Sequence, residues 1–246
     1  MALFEAHKLH KRFGRQVVLE DVELAFEAER LSGIMGPNGA GKTTCFHVLT
    51  GHLKPDRGQV LFDGTDITGW APRRIAGRGI ARSFQAMTVF DEFSVLRNVL
   101  TALPSVRARG LRMLDRFAGA TEVDEAMSVL QRVGLARAAD TEARLLPYGD
   151  RRRLDIALAL AARPKLLFLD EPTSGLGFDA VAQLAALLEQ LKKLLTIVVI
   201  EHNMPFLFRV ADRISVMHWG QVIAQGTPEE LRRDRWVRAS NLGQLA

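Results

Sequence analysis

Apolar and polar residues alternate along the first 35 residues of the chain, and this alternation predicts strands. The period is close to two in residues 3–6 and again in residues 22–26, as expected for strands with one buried face. Residues 31–35 form a further apolar segment that runs into a glycine-rich turn, and the pattern beyond the turn predicts a helix from Lys42. The N-terminal region is therefore expected to be built largely of strands.

The apolar spacing changes between about residues 88 and 162, where several helices are predicted. One helix is expected over residues 122–133, because its apolar side chains recur every three or four positions and share one face: Val123, Ala126, Met127, Leu130 and Val133. A second helix is expected over residues 154–162. This region is interpreted as a helical insertion between two regions that contain strands.

Strands and helices alternate from Leu166 onward. Residues 166–169 and 196–200 are short, continuous apolar runs, as expected for strands that are buried on both faces. Between them, Asp179 is predicted to cap a helix over residues 180–195. Strands that alternate with helices in this way form parallel sheets with crossover helices, so the pattern predicts an α/β core with a helical insert.

The composition favours a folded protein that stays in the compartment where it is made. Of the 246 residues, 48% are hydrophobic and 25% are charged, which is ordinary for a domain with a packed core. No apolar run reaches the roughly 18 residues that a membrane-spanning helix needs, and the N-terminus lacks a signal-peptide pattern. The single cysteine, Cys45, excludes an internal disulfide and fits a reducing compartment, so a cytoplasmic location is expected.

The net charge of +5 is accompanied by clusters of arginines, and three interpretations of these clusters stay open. They can contact nucleic acid, attract anionic lipid headgroups beside a membrane partner, or form solvated helix faces. The arginines are not interleaved with aromatic residues in the sequence, which weakens the nucleic-acid interpretation, and solvated faces are the simplest one. The clusters lie in residues 73–82, 107–116, 151–153 and 232–238.

The glycine-rich turn matches the phosphate-binding pattern G-x-x-x-x-G-K-[ST] at every fixed position, in the segment Gly36-Pro37-Asn38-Gly39-Ala40-Gly41-Lys42-Thr43. Glycines let backbone N–H groups turn towards a polyphosphate, and the following helix adds its unpaired N–H groups and the positive end of its dipole. Lys42 is predicted to contact the β- and γ-phosphates, and the Thr43 hydroxyl is predicted to ligate Mg²⁺. Thr44 completes the predicted nucleotide-binding segment, whereas Cys45 is interpreted as a packing residue.

Two carboxylates follow the apolar strand over residues 166–169 and form the second half of the predicted site. Asp170 is suited to hold Mg²⁺ through water, and Glu171 is suited to polarise the attacking water. Because ligands of open α/β sheets bind at the carboxyl ends of the strands, both acids are expected to meet the phosphates from the strand next to the glycine-rich turn. His202 follows the strand over residues 196–200 and is expected at the same edge.

These motifs resemble those of ABC-transporter ATPases, in the same order and over nearly the whole chain. The resemblance matches Phe13 to the aromatic that stacks on adenine, residues 36–43 to the Walker A loop, Gln85 to the Q-loop, residues 166–170 to Walker B, Glu171 to the catalytic glutamate, residues 174–176 to the start of the D-loop and His202 to the switch histidine. It implies that Gln85 contacts Mg²⁺ or water and that His202 contacts the γ-phosphate. For Phe13, a place in the core is the alternative.

The resemblance also implies the architecture of the chain. A P-loop NTPase core over residues 1–87 and 163–246 is expected, with a mixed sheet, flanking helices and an N-terminal antiparallel β subdomain. An inserted α-helical subdomain over residues 88–162 is expected to bear the family signature. The groove near Phe84, Met87 and Phe90 resembles the dock for a transmembrane coupling helix, with the alternative that these residues belong to the core.

The family signature, usually Leu-Ser-Gly-Gly-Gln, is altered in this chain to Leu146-Pro147-Tyr148-Gly149-Asp150. Pro147 lacks the serine hydroxyl and the backbone donor, and Asp150 adds negative charge near a triphosphate. Both changes weaken what this chain would give to a neighbour's site. The Tyr-Gly pair and the Arg-Arg-Leu that follows resemble importer ATPases for branched-chain amino acids and urea, as do residues 210–231 and 235–243. In the D-loop, Gly177 stands where the family usually has an aspartate or asparagine.

The resemblance therefore implies an ATP-hydrolysing subunit that powers an importer from the cytoplasmic face of the inner membrane. Its cofactors would be ATP and Mg²⁺, and its partners would be permease subunits and an extracytoplasmic binding protein, without direct contact to nucleic acid. It would act as a head-to-tail dimer. The altered signature favours a heterodimer with unequal sites, and a homodimer stays open.

Two other functions fit parts of the sequence. A non-transport ABC ATPase acting on nucleic acid or ribosomes would explain the arginine clusters, but such proteins usually contain tandem cassettes or a long coiled-coil insert, and this chain shows neither. A regulatory subunit that binds ATP with weak hydrolysis would explain the altered signature, and the intact Glu171 and His202 argue against it.

Overall fold

The computed structural model describes residues 2–83, 89–109, 119–234 and 237. The first part of the chain contains β1 (Ala2–Phe13), β2 (Gln16–Glu27), β3 (Leu31–Met35), α1 (Lys42–Leu49), β4 (Arg57–Phe62), β5 (Thr65–Asp66), α2 (Pro72–Ala76) and β6 (Ile80–Arg82). The middle contains α3 (Val95–Ala102), α4 (Pro104–Arg109), α5 (Ala120–Arg132) and α6 (Tyr148–Ala161). The last part contains β7 (Leu166–Asp170), α7 (Phe178–Leu191), β8 (Thr196–Glu201), α8 (Met204–Val210), β9 (Arg213–His218), β10 (Gln221–Gly226) and α9 (Pro228–Arg233).

The strands form two sheets, in agreement with the mixed sheet and the N-terminal antiparallel β subdomain that the family resemblance implies. The N-terminal strands build an antiparallel sheet in the order β2-β1-β4-β5. The second sheet has the order β10-β9-β3-β8-β7-β6 and is parallel except for β10, which pairs antiparallel with β9. The helices α7 and α8 connect parallel strands of this sheet, so the predicted α/β core with crossover helices is confirmed.

The order of strands in the mixed sheet corrects one prediction about the site. The acids at the end of β7 were expected on the strand next to β3, whose end leads into the glycine-rich turn. Instead β8 lies between the two, and its Ile200 pairs with Ile34 of β3 on one side and with Asp170 of β7 on the other. Pairing between parallel strands far apart in sequence is decided by tertiary packing, which the local pattern does not contain.

The continuous apolar runs are explained by burial of the mixed sheet on both faces. Every residue of β3, β7 and β8 is buried. On one face, Phe168 of β7 packs against Phe4 and Phe26 of the antiparallel sheet and Phe46 of α1, with ring centroids 5.5, 6.3 and 5.9 Å away. The opposite face packs against helices. The antiparallel sheet, α1 and one face of the mixed sheet therefore share one core. This packing positions the start of α1 at the edge of the mixed sheet.

The regular elements described between α3 and α6 are helical, in agreement with the helical spacing found there, and an isolated β-bridge joins Ser94 to Glu142. The helix predicted over residues 122–133 is α5, which begins two residues earlier and buries Ala126, Val129 and Leu130. The helix predicted from residue 154 is α6, which begins six residues earlier, at Tyr148. The polar residues 150–153 hide this start from an apolar pattern, because they lie inside the first two turns of the helix.

The prediction that Asp179 caps a helix over residues 180–195 is wrong at both ends. The N-cap of α7 is Gly177, and Asp179 lies within the first turn of the helix. At this position its negative charge interacts favourably with the positive end of the helix dipole, but its side chain does not cap the helix. The helix ends at Leu191, before the two lysines at 192 and 193. Among the described residues, none of the helices has both the length and the apolar character to cross a bilayer.

Candidate functional site

The glycine-rich turn between β3 and α1 has a shape that only glycines allow at its ends. A Cβ at Gly36 would lie 2.2 Å from the carbonyl oxygen of Met217, so the chain passes too close to β9 for a side chain. Gly41 has a φ of 95°, in the left-handed region, and a Cβ there would lie 2.8 Å from the carbonyl oxygen of Val18. The turn therefore depends on the glycines that the phosphate-binding pattern specifies.

The first turn of α1 fits an anion. Gly41 is the N-cap and has no side chain to occupy the N–H groups that begin the helix. Such N–H groups and the positive end of the helix dipole favour a phosphate at this point. Thr43 is exposed and Thr44 is half-buried just inside the helix, whereas Cys45 behind them is fully buried. Burial raises the pKa of the Cys45 thiol to about 12, which fits a packing residue and not a nucleophile.

Lys42 is folded back over the turn. Its side chain is buried, and Nζ donates hydrogen bonds to the carbonyl oxygens of Gly36 (2.7 Å) and Pro37 (3.0 Å). Burial lowers the pKa of Lys42, and the nearby carboxylates of Glu171 and Asp170 oppose that shift. The ammonium group is thus held at the mouth of the turn by backbone oxygens, within the field of the two acids.

Asp170 is the last residue of β7, and its environment disfavours a bare carboxylate. Burial raises its pKa, and the neighbouring carboxylate of Glu171 raises it further, while Arg82 and Arg152 act in the opposite direction. A bound divalent cation would stabilise two acids in such a place, and carboxylate and hydroxyl oxygens are ligands that Mg²⁺ accepts. The residues present therefore fit the Mg²⁺ ion that the motif implies.

His202 and Glu171 meet at this edge of the sheet. The Nδ1 atom of His202 lies 3.6 Å from Oε1 of Glu171, and 55% of the His202 side chain is exposed. The backbone N–H of Glu171 donates to the carbonyl oxygen of Ile200, 2.8 Å away, and this bond connects residues 170–172, the acid turn, to β8. The expectation that both side chains reach one edge from two strands agrees with this geometry.

Glu201 is a residue of the site that the sequence analysis missed. It is the last residue of β8 and is fully buried. One carboxylate oxygen accepts from the N–H and the hydroxyl of Thr173 (2.8 and 2.6 Å), and the other accepts from the N–H groups of His202 (3.1 Å) and Asn203 (3.2 Å). Glu201 therefore joins the segment after Glu171 to the turn that holds His202. A charged residue directly after an apolar run was the available signal, the same one that identified Asp170.

The altered signature forms the start of α6. Leu146 is buried, Pro147 is the N-cap, and Tyr148 is half exposed, with its hydroxyl 3.4 Å from the carbonyl oxygen of Ser174. A Cβ at Gly149 would lie 3.1 Å from Cβ of Ala180, so α6 and α7 approach closely there. Asp150 forms an ion pair with Arg153 one turn along the helix. The negative charge introduced at the signature is therefore partly balanced within this chain.

The three arginines that follow the signature are not a solvated helix face. Arg151 pairs with Asp91, Arg152 is buried, and Arg153 pairs with Asp150. Arg74 of the first cluster is exposed and stacks on Trp70, with its guanidinium carbon 3.4 Å from the ring centroid. The simplest interpretation of the clusters is thus wrong for residues 151–153, because tertiary contacts take up all three side chains.

Phe13 and the residues near Gln85 have different outcomes. Phe13 lies at the end of β1 with 49% of its surface exposed, so it is not a core residue. An exposed ring at this hairpin fits the predicted stacking on adenine. Gln85 lies outside the described residues, as do Phe84 and Met87 of the proposed groove. Phe90 is 48% exposed and packs on Phe93, with ring centroids 5.0 Å apart.

A family model matches the part of the chain that contains the glycine-rich turn and the two acids. Residues 19–174, which include the glycine-rich turn, the altered signature and both acids, match the model described as ABC transporter. The chain belongs to this family. As an ABC ATPase it binds and hydrolyses ATP, and its fold is the P-loop α/β fold that the sequence predicted.

Relatives of this ABC ATPase serve different transport systems. It is 36% identical to the high-affinity branched-chain amino acid transport ATP-binding protein LivG of Escherichia coli K12, over 98% of each chain. It is 35% identical to BraF, a protein of the same description from Pseudomonas aeruginosa, again over 98% of each chain. It is also 32% identical to the lipopolysaccharide export system ATP-binding protein LptB of Escherichia coli K12, over 99% of this chain and 98% of that one.

Two solved structures share the fold of this ABC ATPase along their whole lengths. One is the ADP conformation of MJ1267, an ATP-binding cassette of an ABC transporter, which has 29% sequence identity, a TM-score of 0.87 and 99% coverage of each chain. The other is CbiO1 from Clostridium perfringens, part of the CbiONQ transporter complex, with 28% identity, a TM-score of 0.82 and coverage of 99% of this chain and 98% of that one.

Proposed function

We propose that this ABC ATPase powers an importer for branched-chain amino acids, urea or a related small polar solute. The observation that supports it most directly is the meeting of Lys42, Glu171 and His202 at one sheet edge, in a chain that is 36% identical to LivG. The similarity to LptB concerns an export system and is lower, so import is the more strongly supported direction. The binding site for the solute would lie in partner subunits.

The proposed chemistry is transfer of the γ-phosphoryl group of ATP to water, which needs positioning and charge stabilisation and no covalent enzyme intermediate. The backbone of residues 36–41 and the start of α1 would cradle the phosphates, with Lys42 on the β- and γ-phosphates and Phe13 stacked on adenine. Glu171 would orient the attacking water. His202, whose Nδ1 lies 3.6 Å from Oε1 of Glu171, would contact the γ-phosphate. Gln85 would contribute to the same site.

The metal expected here is Mg²⁺, held by Thr43, by Asp170 through water and by Gln85. When bound, it would neutralise charge that develops on the phosphate oxygens. The buried Asp170 supports this proposal, because burial and the carboxylate of Glu171 raise its pKa despite Arg82 and Arg152, and a divalent cation would stabilise the ionised form.

The altered signature supports a dimer with two unequal ATP sites. In a head-to-tail dimer, residues 146–150 of the proposed helical subdomain would face the nucleotide on the partner's Walker A loop. Pro147 is the N-cap of α6 and offers neither a hydroxyl nor a backbone N–H there. The partner's nucleotide would therefore be hydrolysed poorly, whereas the nucleotide on this chain would be hydrolysed if the partner has an ordinary signature. This asymmetry favours a heterodimer.

The motor would act at the cytoplasmic face of the inner membrane as a peripheral subunit. Closure of the dimer on ATP and opening after hydrolysis would move two permease subunits, and an extracytoplasmic binding protein would deliver the solute. The half-exposed Phe90 supports a contact with a permease helix near this side of the molecule.

Affinity purification of the tagged full-length chain from detergent-solubilised membranes tests the proposal. Two permeases, a second ABC ATPase and stimulation of ATP hydrolysis by a branched-chain amino acid or urea with its binding protein are the expected results. Recovery of ribosomes or nucleic acid would favour the non-transport ATPase. Recovery of a lipopolysaccharide-export system would overturn the proposed direction and solute.

The same preparation tests whether the chain only regulates. A transporter whose turnover is unchanged by Glu171→Gln in this chain would make the chain an ATP-binding regulatory subunit. Loss of solute-stimulated turnover in that variant would support the proposal that this chain hydrolyses ATP to power transport.

A further inference from the structure

Arg152 connects the signature helix to the turn that contains the two acids. It lies in α6, and only 3% of the residue is exposed. Its Nη2 donates to the backbone carbonyl oxygens of Asp170 (2.9 Å) and Glu171 (3.1 Å), and its Nε donates to that of Pro172 (3.3 Å). One guanidinium group therefore holds three consecutive carbonyl oxygens of the acid turn.

The acid turn has a backbone conformation that needs such support. Glu171 has a φ of 43°, in the left-handed region that residues other than glycine rarely adopt. A residue persists in this region only when its surroundings fix it. The carbonyl oxygen of Glu171 also accepts from the N–H of Ser174, 3.1 Å away, and its N–H donates to Ile200. Arg152 adds contacts from the signature helix α6.

The contacts of Arg152 suit backbone positioning better than a simple ion pair. Among the described ion pairs, Arg152 faces the carboxylate of Asp155 on the same helix, with Nη1 3.8 Å from Oδ2, and Asp155 is also buried. The contacts with the carbonyl oxygens of residues 170–172 are shorter than this one. A planar guanidinium can span several acceptors at fixed angles, which a lysine ammonium on a flexible chain cannot do.

The neighbouring arginines point to other partners. Arg151 pairs with Asp91, and Arg153 pairs with Asp150 and lies 3.4 Å from the carbonyl oxygen of Val133. Of these three side chains, Arg152 is the one with hydrogen bonds to the acid turn. The sequence alone does not separate it from the other two, because all three stand side by side.

We propose that Arg152 is a positioning residue for Glu171. By holding the carbonyl oxygens of residues 170–172, it fixes the direction in which the Glu171 carboxylate leaves the end of β7. The inference rests on the proposed role of Glu171 in orienting the attacking water. Arg152 lies two residues beyond Asp150 on the same helix. Through Arg152, α6 therefore connects the segment that would face the partner's nucleotide to Glu171, which would act on the nucleotide bound by this chain.

The substitution Arg152→Lys tests the proposal in the assembled complex, since it keeps the positive charge beside Asp155 and removes the planar fork. The expected result is a fall in kcat of about 10- to 100-fold, because displacement of a catalytic group by about 1 Å can cost about 10²-fold. The KM for ATP should change by less than about twofold, since the nucleotide-binding turn is untouched. The matched control is Arg151→Lys, which lies on the same helix and contacts Asp91.

A double variant without buried charges controls for the possibility that Arg152→Lys lowers kcat by disturbing the fold. Arg152→Gln combined with Asp155→Asn removes both buried charges together, so neither is left without its partner. This pair should lower kcat at least as much as Arg152→Lys while the thermal midpoint of the nucleotide-free protein stays near that of the wild type. Wild-type kcat in either folded variant would overturn the proposal.

A double-mutant cycle separates positioning of Glu171 from a general structural role. If Arg152 acts through Glu171, then Arg152→Lys should not lower the residual single-turnover rate once Glu171→Gln is present. An equal further loss in that background would make Arg152 structural and overturn the inference. Wild-type turnover in Glu171→Gln alone would instead overturn the proposed function of Glu171, so the two failures are distinguishable.

Discussion

Nδ1 of His202 lies 3.6 Å from Oε1 of Glu171, although the two residues follow different strands of the mixed sheet. The carboxylate of Glu201 connects the two segments, since it accepts hydrogen bonds from the N–H of His202 and from the N–H of Thr173, two residues after Glu171. The histidine and the glutamate are therefore positioned relative to each other by the end of β8. A γ-phosphate bound beside this pair would face an acid that can orient water and an imidazole that can donate a hydrogen bond.

The substitution Glu171→Gln should stop hydrolysis and leave ATP binding intact. Glutamine keeps the shape of the side chain and loses the carboxylate that orients water, so phosphate release should fall by about 10²–10⁴-fold, the usual contribution of a positioned general base. With Mg·ATP the variant should accumulate as a closed dimer, which size-exclusion chromatography detects.

The control for this substitution is Glu189→Gln, which changes a partly exposed glutamate of α7 that pairs with Lys192 just after the helix. Its turnover should match the wild type, because Lys192 keeps its second carboxylate partner, Asp212. Wild-type phosphate release in Glu171→Gln would contradict the assignment of Glu171.

The substitution Lys42→Ala should abolish turnover and greatly weaken ATP binding. It removes the ammonium group that Gly36 and Pro37 hold at the mouth of the phosphate-binding turn. Titration with a fluorescent ATP analogue measures the loss. The control is Lys165→Ala, which removes an exposed lysine paired with Asp63, and which should bind the analogue normally. Equal affinity in Lys42→Ala and the wild type would show that the nucleotide is held elsewhere.

Restoring the ordinary signature residues should raise turnover in the assembled complex. Pro147→Ser adds a hydroxyl at the N-cap of α6, and Asp150→Gln removes a negative charge from the segment that is proposed to face the partner's nucleotide. Steady-state phosphate release should increase, up to about twofold if a silent second site becomes equal to the first.

The variant Asp150→Gln alone separates the two effects of this double change. Because Asp150 is paired with Arg153, its charge is partly compensated, and the single change should raise turnover less than the double change. An unchanged rate in the double variant would argue against unequal sites.

The substitution Asp170→Asn should stabilise the nucleotide-free protein while it abolishes Mg²⁺-dependent turnover. Burial and the neighbouring Glu171 raise the pKa of Asp170, so its ionised form is disfavoured in the fold. A neutral amide avoids this cost, and a gain of about 1 kcal/mol would raise the thermal midpoint by about 2–4 °C in a chain of this size.

The gain should depend on pH in a defined direction. With a raised folded-state pKa, the stability contributed by protonated Asp170 is present below the ordinary pKa of an aspartate and is lost as the pH rises through the folded-state value. The difference between Asp170→Asn and the wild type should therefore vanish on acidification. Calorimetry at several pH values measures it, with Asp140→Asn as control, since Asp140 is an exposed aspartate outside the helices. A lower midpoint at neutral pH in Asp170→Asn would refute the argument.

Much of the secondary structure follows from local patterns in the sequence. The alternation in residues 3–6 and 22–26 predicted β1 and β2, and the continuous apolar runs predicted β7 and β8, because burial on one or two faces leaves a period that can be counted. The errors occurred at helix ends. The start of α6 was missed because its first two turns are polar, and the cap of α7 was assigned to Asp179 because glycine gives no side-chain signal at Gly177.

The sequence by itself determined the position of the phosphate-binding turn, since its glycines, Lys42 and Thr43 stand at fixed spacing within one short segment. Only the tertiary structure decided the neighbours of that turn: β8 stands between β3 and β7, Glu201 joins Thr173 to His202, and Arg152 reaches the carbonyl oxygens of the acid turn. These contacts join residues far apart in the chain. The order in which strands and helices pack selects them, and no local period encodes that order.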